Sequence, residues 1–150
     1  WIVETEPVWI GVTLELRRGP RLRPEGGYWV DTGSPHLLLP VRDYEELQHL
    51  PLESVARPLR WETAYDPGGV NVSVYAPFRE GYAIRTYERG VEAETQSCGT
   101  AAVALAALSG EKSLSLYPPG GRLLVTRLSE TSFRLEGPLV EIVRGHWGGL

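Results

Sequence analysis

Methionine is absent from this chain, lysine occurs once, at Lys112, and cysteine occurs once, at Cys98. A single thiol excludes an internal disulfide, so it belongs either to reducing-compartment chemistry or to packing. No apolar run approaches the ~18 residues of a membrane-crossing helix, and neither a repeat nor a low-complexity tract is present. Excess positive charge is also missing. The formal net charge is −4 and the pI is near 5.4, which argues against a nucleic-acid platform. The fourteen arginines can still form local anion sites. The chain opens on Trp1 with no basic segment followed by an apolar one, so a secretory signal is not expected. With Met nowhere in it, we expect a piece of a longer product. What is there is 150 residues, 42% hydrophobic and 23% charged. That is enough for a real core in one domain or two small ones, and too apolar for disorder.

Residues 1–16 alternate as a strand, with Val8, Ile10, Val12, Leu14 and Leu16 on one face. Arg17-Arg18-Gly19-Pro20 and Pro24-Glu25-Gly26-Gly27 read as turns. Tyr28-Trp29-Val30 is a short strand that ends at Asp31-Thr32-Gly33-Ser34-Pro35, and residues 36–41 form another. Asp43 is placed as an N-cap with Glu46 as its capping-box partner. A second short helix covers residues 52–59, interrupted or ended by Pro58. Asp66-Pro67-Gly68-Gly69 is a turn, and residues 70–75 and 81–87 are strands. Residues 121–128 and 133–143 complete the set, the last broken at Gly137-Pro138.

One segment stands apart. Gly99 to Leu108 is rich in alanine and leucine, the best helix formers, and Ser109-Gly110 stops it. No residue in it is charged, so the helix is apolar all round and must be surrounded by protein. With strands outnumbering helices, the expected fold is α+β: a barrel-like mixed sheet wrapped around one buried central helix.

Cys98 immediately precedes that helix. Unpaired N–H groups and the partial positive charge of a helix start favour an anion, so a thiolate pKa below that of a free thiol is expected. The N–H groups of Gly99 and Thr100 can also cradle a carboxylate, since glycine lets the backbone come close. Position alone leaves a buried structural cysteine equally open.

The run Tyr87-Glu88-Arg89-Gly90 leading through Glu94-Thr95 to Cys98-Gly99-Thr100 closely resembles the second-cysteine signature of the diaminopimelate epimerase family. Thr32-Gly33-Ser34-Pro35-His36 resembles the family's G-N-P-H turn, and Gly69-Val70-Asn71-Val72 its V-N strand. Gly120-Gly121-Arg122-Leu123 and Leu135-Glu136-Gly137-Pro138 resemble its closing strands. The resemblance covers roughly residues 28–147.

The resemblance implies inversion of a free amino acid's stereocentre without metal or any other cofactor. Two cysteines on opposite faces of the α-carbon do the work, one removing a proton as thiolate and the other delivering one as thiol. It implies two similar halves with the site between them. Residues 1–150 would be the C-terminal half, with residues 1–27 the candidate for the strand that links to the absent first half. Cys98 would be the second-half catalytic cysteine, Glu88 its proton-transfer partner, and His36 the partner of the first-half cysteine. Arg89 and Asn71 would hold the distal end of the substrate, where a guanidinium fork suits a carboxylate. Gly99 and Thr100 would take the α-carboxylate, with Ser34 beside the substrate. The implied partners are diaminopimelate and the complementary half, with a homodimer as a candidate assembly, neither nucleic acid nor membrane, and the cytoplasm as location. His49 and His146 fall in no motif and are expected at the surface.

Three departures carry expectations of their own. Ser34 stands where the family usually has Asn, so one longer polar contact to the substrate is expected to be lost or bridged by water. Ala101 replaces a glycine and should crowd a close backbone approach. The loop from Glu88 to Cys98 is one residue longer than the commonest spacing. Competing readings are a proline racemase-like isomerase, which lacks the Y-E-R-G lead-in, and a phenazine-biosynthesis-type isomerase, which has a carboxylate where Cys98 stands. A binding module that kept the helix-end pocket and lost turnover is a third. With one thiol, this chain cannot run a two-cysteine reaction alone.

Overall fold

A computed structural model describes residues 8–24, 26–62 and 67–139. Within them the strands are β1 (Val8–Glu15), β2 (Arg18–Leu22), β3 (Tyr28–Asp31), β4 (Pro35–Pro40), β5 (Asn71–Phe78), β6 (Gly81–Glu88), β7 (Ala93–Thr95), β8 (Ser113–Tyr117), β9 (Leu123–Arg127) and β10 (Ser132–Leu139). The helices are α1 (Tyr44–His49), α2 (Leu52–Arg60) and α3 (Gly99–Ser109). All ten strands join one sheet in the order β1-β10-β9-β8-β6-β5-β4-β3-β2, with β7 added beside β6.

The sheet is mixed because two neighbouring pairs, β4 with β5 and β6 with β8, run parallel, and the rest are antiparallel. A parallel pair needs a long crossover, and each crossover here contains helix. The first carries α1 and α2, the second carries β7 and α3. β1 and β2 are nearly continuous and bring the ends of the sheet together. The Leu16 N–H donates to the Thr131 carbonyl at 2.6 Å, and the next N–H, of Arg17, donates to the Asp31 carbonyl at 2.8 Å. Successive N–H groups thus reach opposite neighbours, and the sheet curls into a barrel around α3.

Strand alternation separates two cores. Val30, Leu38, Ile84, Leu114, Leu116, Val125 and Phe133 pack on α3, whose residues 101–107 are all buried. Trp29, Leu37, Val72, Val74, Ala83 and Tyr87 point the other way, onto Leu47, Leu52 and Ala56 of α1 and α2. α3 stops at Gly110, which takes the left-handed conformation (φ 76°) that glycine adopts without strain.

The barrel around one buried helix is the expected fold. Asp43 caps α1, accepting from the Glu46 N–H at 2.8 Å; the Glu46 carboxylate reaches Arg42 N–H, one residue before the cap, at 2.9 Å. Several local readings need correction. Residues 17–20 are not a turn: β2 starts at Arg18, and a bulge between Arg18 and Arg21 absorbs Gly19-Pro20 on an outer strand. Pro58 neither ends nor interrupts α2, which continues to Arg60; it lies in the last turn and forfeits only one backbone hydrogen bond. Gly137-Pro138 does not break β10, because pairing with β9 covers residues 133–136 only and Pro138 has a neighbour on one side alone. β7 and β8 were not foreseen. Leu14 on β1 and Leu16 just after it pack on the α3 core, but Val8, Trp9, Ile10 and Val12 are exposed on the two-stranded ribbon with β10. The readings at residues 1–7, Glu25, Asp66 and 140–150, His146 included, lie outside the described residues.

Candidate active site at the start of the buried helix

Alternate residues of β3, β4, β5 and β6 face α3 and become polar toward its N-terminal end: Thr32 after β3, His36 on β4, Asn71 and Ser73 on β5, Thr86 and Glu88 on β6. Ser73 and Thr86 hydroxyls pair at 2.8 Å across the strands. Cys98 takes an extended N-cap conformation, so its side chain stands at this same end.

The Cys98 sulfur lies 3.4 Å from the Thr100 hydroxyl. Burial pushes the thiol pKa above its ordinary value, and the Glu88 carboxylate, through its charge and as a hydrogen-bond acceptor, pushes the same way. The Thr100 hydroxyl and the Ala101 amide favour the thiolate, each more strongly than Glu88 opposes it but less than burial does. The expected depressed pKa is therefore corrected: desolvation outweighs the helix start, and Cys98 rests as a thiol at neutral pH. Thr95 holds Glu88, donating its hydroxyl to Oε1 at 2.5 Å. The longer loop folds as the β6–β7 hairpin, with Thr86 opposite Thr95 and Glu88 opposite Ala93, and keeps Glu88 within reach of Cys98.

Asn71 is the knot of the site. Its amide donates to Ser34 Oγ at 2.7 Å and to the Pro35 carbonyl at 3.0 Å, and its Oδ1 accepts the Arg89 N–H at 2.8 Å. Both amide hydrogens are engaged within the chain, so Asn71 has no donor to spare for a ligand. Ser34 and Arg89 are half-buried. Arg89 Nη1 donates to the Gly69 carbonyl at 3.2 Å, and its charge acts on His36. His36 is 0% exposed, and neither ring nitrogen has a hydrogen-bond partner. Burial, with Arg89 adding to it, lowers the His36 pKa to about 3, so the ring is neutral.

Gly99 and Thr100 open α3 half-exposed. A Cβ on Gly99 would sit 2.6 Å from Leu135 Cδ2, so glycine is what lets β10 pack over the helix start. Ala101 is 0% exposed within the α3 core. Thr32 donates its hydroxyl to the Thr100 carbonyl at 3.4 Å, tying the 32–36 turn to the first helical turn. His49 is exposed, as expected.

Two supports were not singled out from the sequence. Thr95 lies within the quoted motif but had been given no role. Arg60, 3% exposed, reaches the turn after β6 from α2. Its Nε and Nη2 donate to Glu92 Oε1 at 3.0 and 2.7 Å, and Nη1 donates to the Gly68 carbonyl at 3.0 Å. Glu92 also accepts the Gly90 N–H at 3.0 Å, and its carbonyl accepts the Tyr87 hydroxyl at 2.7 Å. The pairing of residues 32 positions apart left no local signal.

Comparison with known proteins places this arrangement. Among solved structures, a phenazine biosynthesis PhzC/PhzF protein of Clostridium difficile (strain 630) has the same fold, with a TM-score of 0.66 at 14% identity, over 93% of this chain and 57% of that one. The fold class is thus one that such proteins share. The diaminopimelate epimerase family model matches residues 28–135, and the chain belongs to that family. The diaminopimelate epimerase of Hydrogenobaculum sp. (strain Y04AAS1) is 37% identical over 126 residues, 79% of this chain and 45% of that protein. That of Thermotoga maritima is 36% identical over 129 residues, 83% of this chain and 51% of the relative. That of Mycobacterium tuberculosis (strain ATCC 25177 / H37Ra) is 41% identical over 126 residues, covering 79% and 43% respectively. The chain spans about half the length of the curated relatives it matches.

Proposed function

We propose that residues 1–150 are the C-terminal half of a cofactor-independent diaminopimelate epimerase, an isomerase of lysine and peptidoglycan-precursor biosynthesis working in the cytoplasm. The observation that carries the reading is Cys98 at the start of the buried helix, acted on by the Glu88 carboxylate that Thr95 holds in place.

In this reading the Cys98 thiol faces one side of the substrate α-carbon, and a thiolate from the first half faces the other. The distant thiolate removes the α-proton as Cys98 delivers its own to the opposite face. Glu88 accepts a hydrogen bond from the thiol beforehand and orients it. In the reverse direction Cys98, as thiolate, takes the proton. The raised pKa of Cys98 suits the donor state, because a protonated thiol is ready at neutral pH without a prior step.

Gly99 and Thr100 N–H groups receive the α-carboxylate at the positive end of α3. Arg89 supplies a guanidinium for the distal carboxylate, and the Ser34 hydroxyl stands beside it. Asn71 acts as a positioning residue, since its hydrogen bonds fix both Ser34 and the Arg89 backbone. The unpaired nitrogens of His36 await the first-half cysteine. Because His36 is fully covered, that pairing requires the 32–36 turn to shift when the halves meet. The uncovered Val8, Trp9, Ile10 and Val12 supply apolar surface for the same half.

The test is deuterium incorporation at the α-carbon of LL-diaminopimelate in heavy water, with no cofactor added. The 150-residue chain alone should give none, and the chain combined with a first half bearing a cysteine loop should give exchange. Exchange that required pyridoxal phosphate or a metal would overturn the reading.

A further inference from the structure

Opposite the candidate active site, the inner face of the barrel ends in three tyrosines. Tyr28 on β3, Tyr75 on β5 and Tyr82 on β6 surround the last turn of α3, and with Leu105, Leu108 and Ser109 they line a cavity of about 280 Å³. The Tyr75 and Tyr82 rings meet edge to face with centroids 5.8 Å apart. Among the described residues none of the three hydroxyls has a hydrogen-bond partner, and no charged side chain lines the cavity. We propose that this second mouth of the barrel binds a small organic cation, an ammonium or methylated ammonium group on a short stem.

Two features select that ligand. Aromatic faces carry negative charge density and attract a cation held within about 6 Å of the ring centre. The same mouth holds the C-terminal end of α3, where the helix dipole leaves a partial negative charge and the Ala106 carbonyl accepts the Ser109 hydroxyl at 3.0 Å. An anion would meet that charge with no cationic lining residue to offset it. Arg127 is the cation that touches this end of the helix, donating from Nη2 to the Ala107 carbonyl at 3.2 Å. It lies over Phe133, 4.8 Å from the ring centroid, and is not part of the cavity wall. Leu105 and Leu108 give the apolar floor that a methylated ammonium or a short stem fills. The Tyr75 hydroxyl pKa is raised to about 12 by burial and by Tyr28 and Tyr82, so Tyr75 remains a neutral phenol and attracts through its ring face.

The experiment titrates the 150-residue chain, carrying ¹³C-labelled tyrosine, with choline and separately with 3,3-dimethyl-1-butanol, its uncharged isostere. Choline should shift the Tyr28, Tyr75 and Tyr82 ring resonances saturably, and the isostere should bind at least ~5-fold more weakly, as expected for cation–π attraction near a helix end. Acetate should leave these rings unmoved. Tyr82→Leu should weaken choline binding by a similar factor, whereas Tyr75→Phe, which keeps the ring, should retain it. Equal binding of choline and the isostere would reduce the cavity to an apolar crevice. Absence of saturation on these rings would leave no site at all. Either result overturns the proposal, and the wild-type comparison decides it even if Tyr82→Leu fails to fold.

Discussion

The two ends of α3 are enclosed by the same strands and differ in almost every chemical respect. At the N-terminal end the inward positions are Thr32, His36, Asn71, Thr86 and Glu88, joined by Cys98 and Thr100. At the C-terminal end they are Tyr28, Tyr75 and Tyr82. Between them lie Val30, Leu38 and Ile84, packed on an uncharged helix. Along β3 and β6 one period-2 pattern therefore passes from polar through aliphatic to aromatic, whereas β5 goes directly from Asn71 and Ser73 to Tyr75 and β4 ends at Pro40. The helix gives the ends opposite partial charges, so one suits an anion and the other a cation. The lesson is that the barrel supplies only the enclosure. A few inward residues at each rim decide its chemistry.

The sharpest way to break this contrast is to titrate the polar end. The folded chain holds His36 neutral down to about pH 3, whereas an exposed histidine takes its proton near 6.5. The unfolded state therefore binds the proton first. Stability should be fully present above pH 6.5 and fall by about 4–5 kcal/mol as the pH approaches 3. Urea unfolding across that range checks it, and His36→Gln should remove this share of the slope. An unchanged slope would mean that the imidazole is not isolated from water.

A smaller effect is expected at Arg89. In the assembled enzyme Arg89→Ala should lower kcat/KM for diaminopimelate at least ~10-fold, and Arg89→Lys, which keeps charge but loses the fork, should also weaken it. A collapse of Tm with substrate preference unchanged would make Arg89 a purely structural member of the Gly69–Asn71 network. Smaller again is the change at Glu88. Because its carboxylate helps to raise the Cys98 pKa, Glu88→Gln should move the pH profile of thiol alkylation downward. An upward or unmoved profile would contradict the assigned contact. At the opposite end, saturating choline should leave isotope exchange unchanged, as expected of two rims that act separately.

The sequence made α3 legible, because an uncharged Ala/Leu run ended by Gly110 has few alternatives, and the Asp43 cap was equally plain. Inward and outward alternation identified most strands. β2 was hidden by a Gly-Pro pair placed at a bulge, and β7 is only three residues long. Motif spacing brought Cys98, Glu88, Asn71 and Ser34 to one end of the barrel. The protonation state of Cys98 could not be read locally, since it is set by burial from distant strands rather than by the helix start alone. The Arg60–Glu92 pair belongs to the same category: α2 and the hairpin meet only in the folded chain. The engagement of both Asn71 donors likewise depends on Ser34 and Pro35, which are 37 and 36 residues away.

The most direct test of the central claim is solvent isotope exchange by the assembled enzyme carrying Cys98→Ala. With Cys98 as one of two acid–base groups, deuterium incorporation from heavy water into diaminopimelate that accompanies inversion should disappear, while the Tm stays close to that of the parent. Inversion continuing at the parent rate in Cys98→Ala would show that the thiol at the start of α3 is a packing residue and that the reacting centre lies elsewhere.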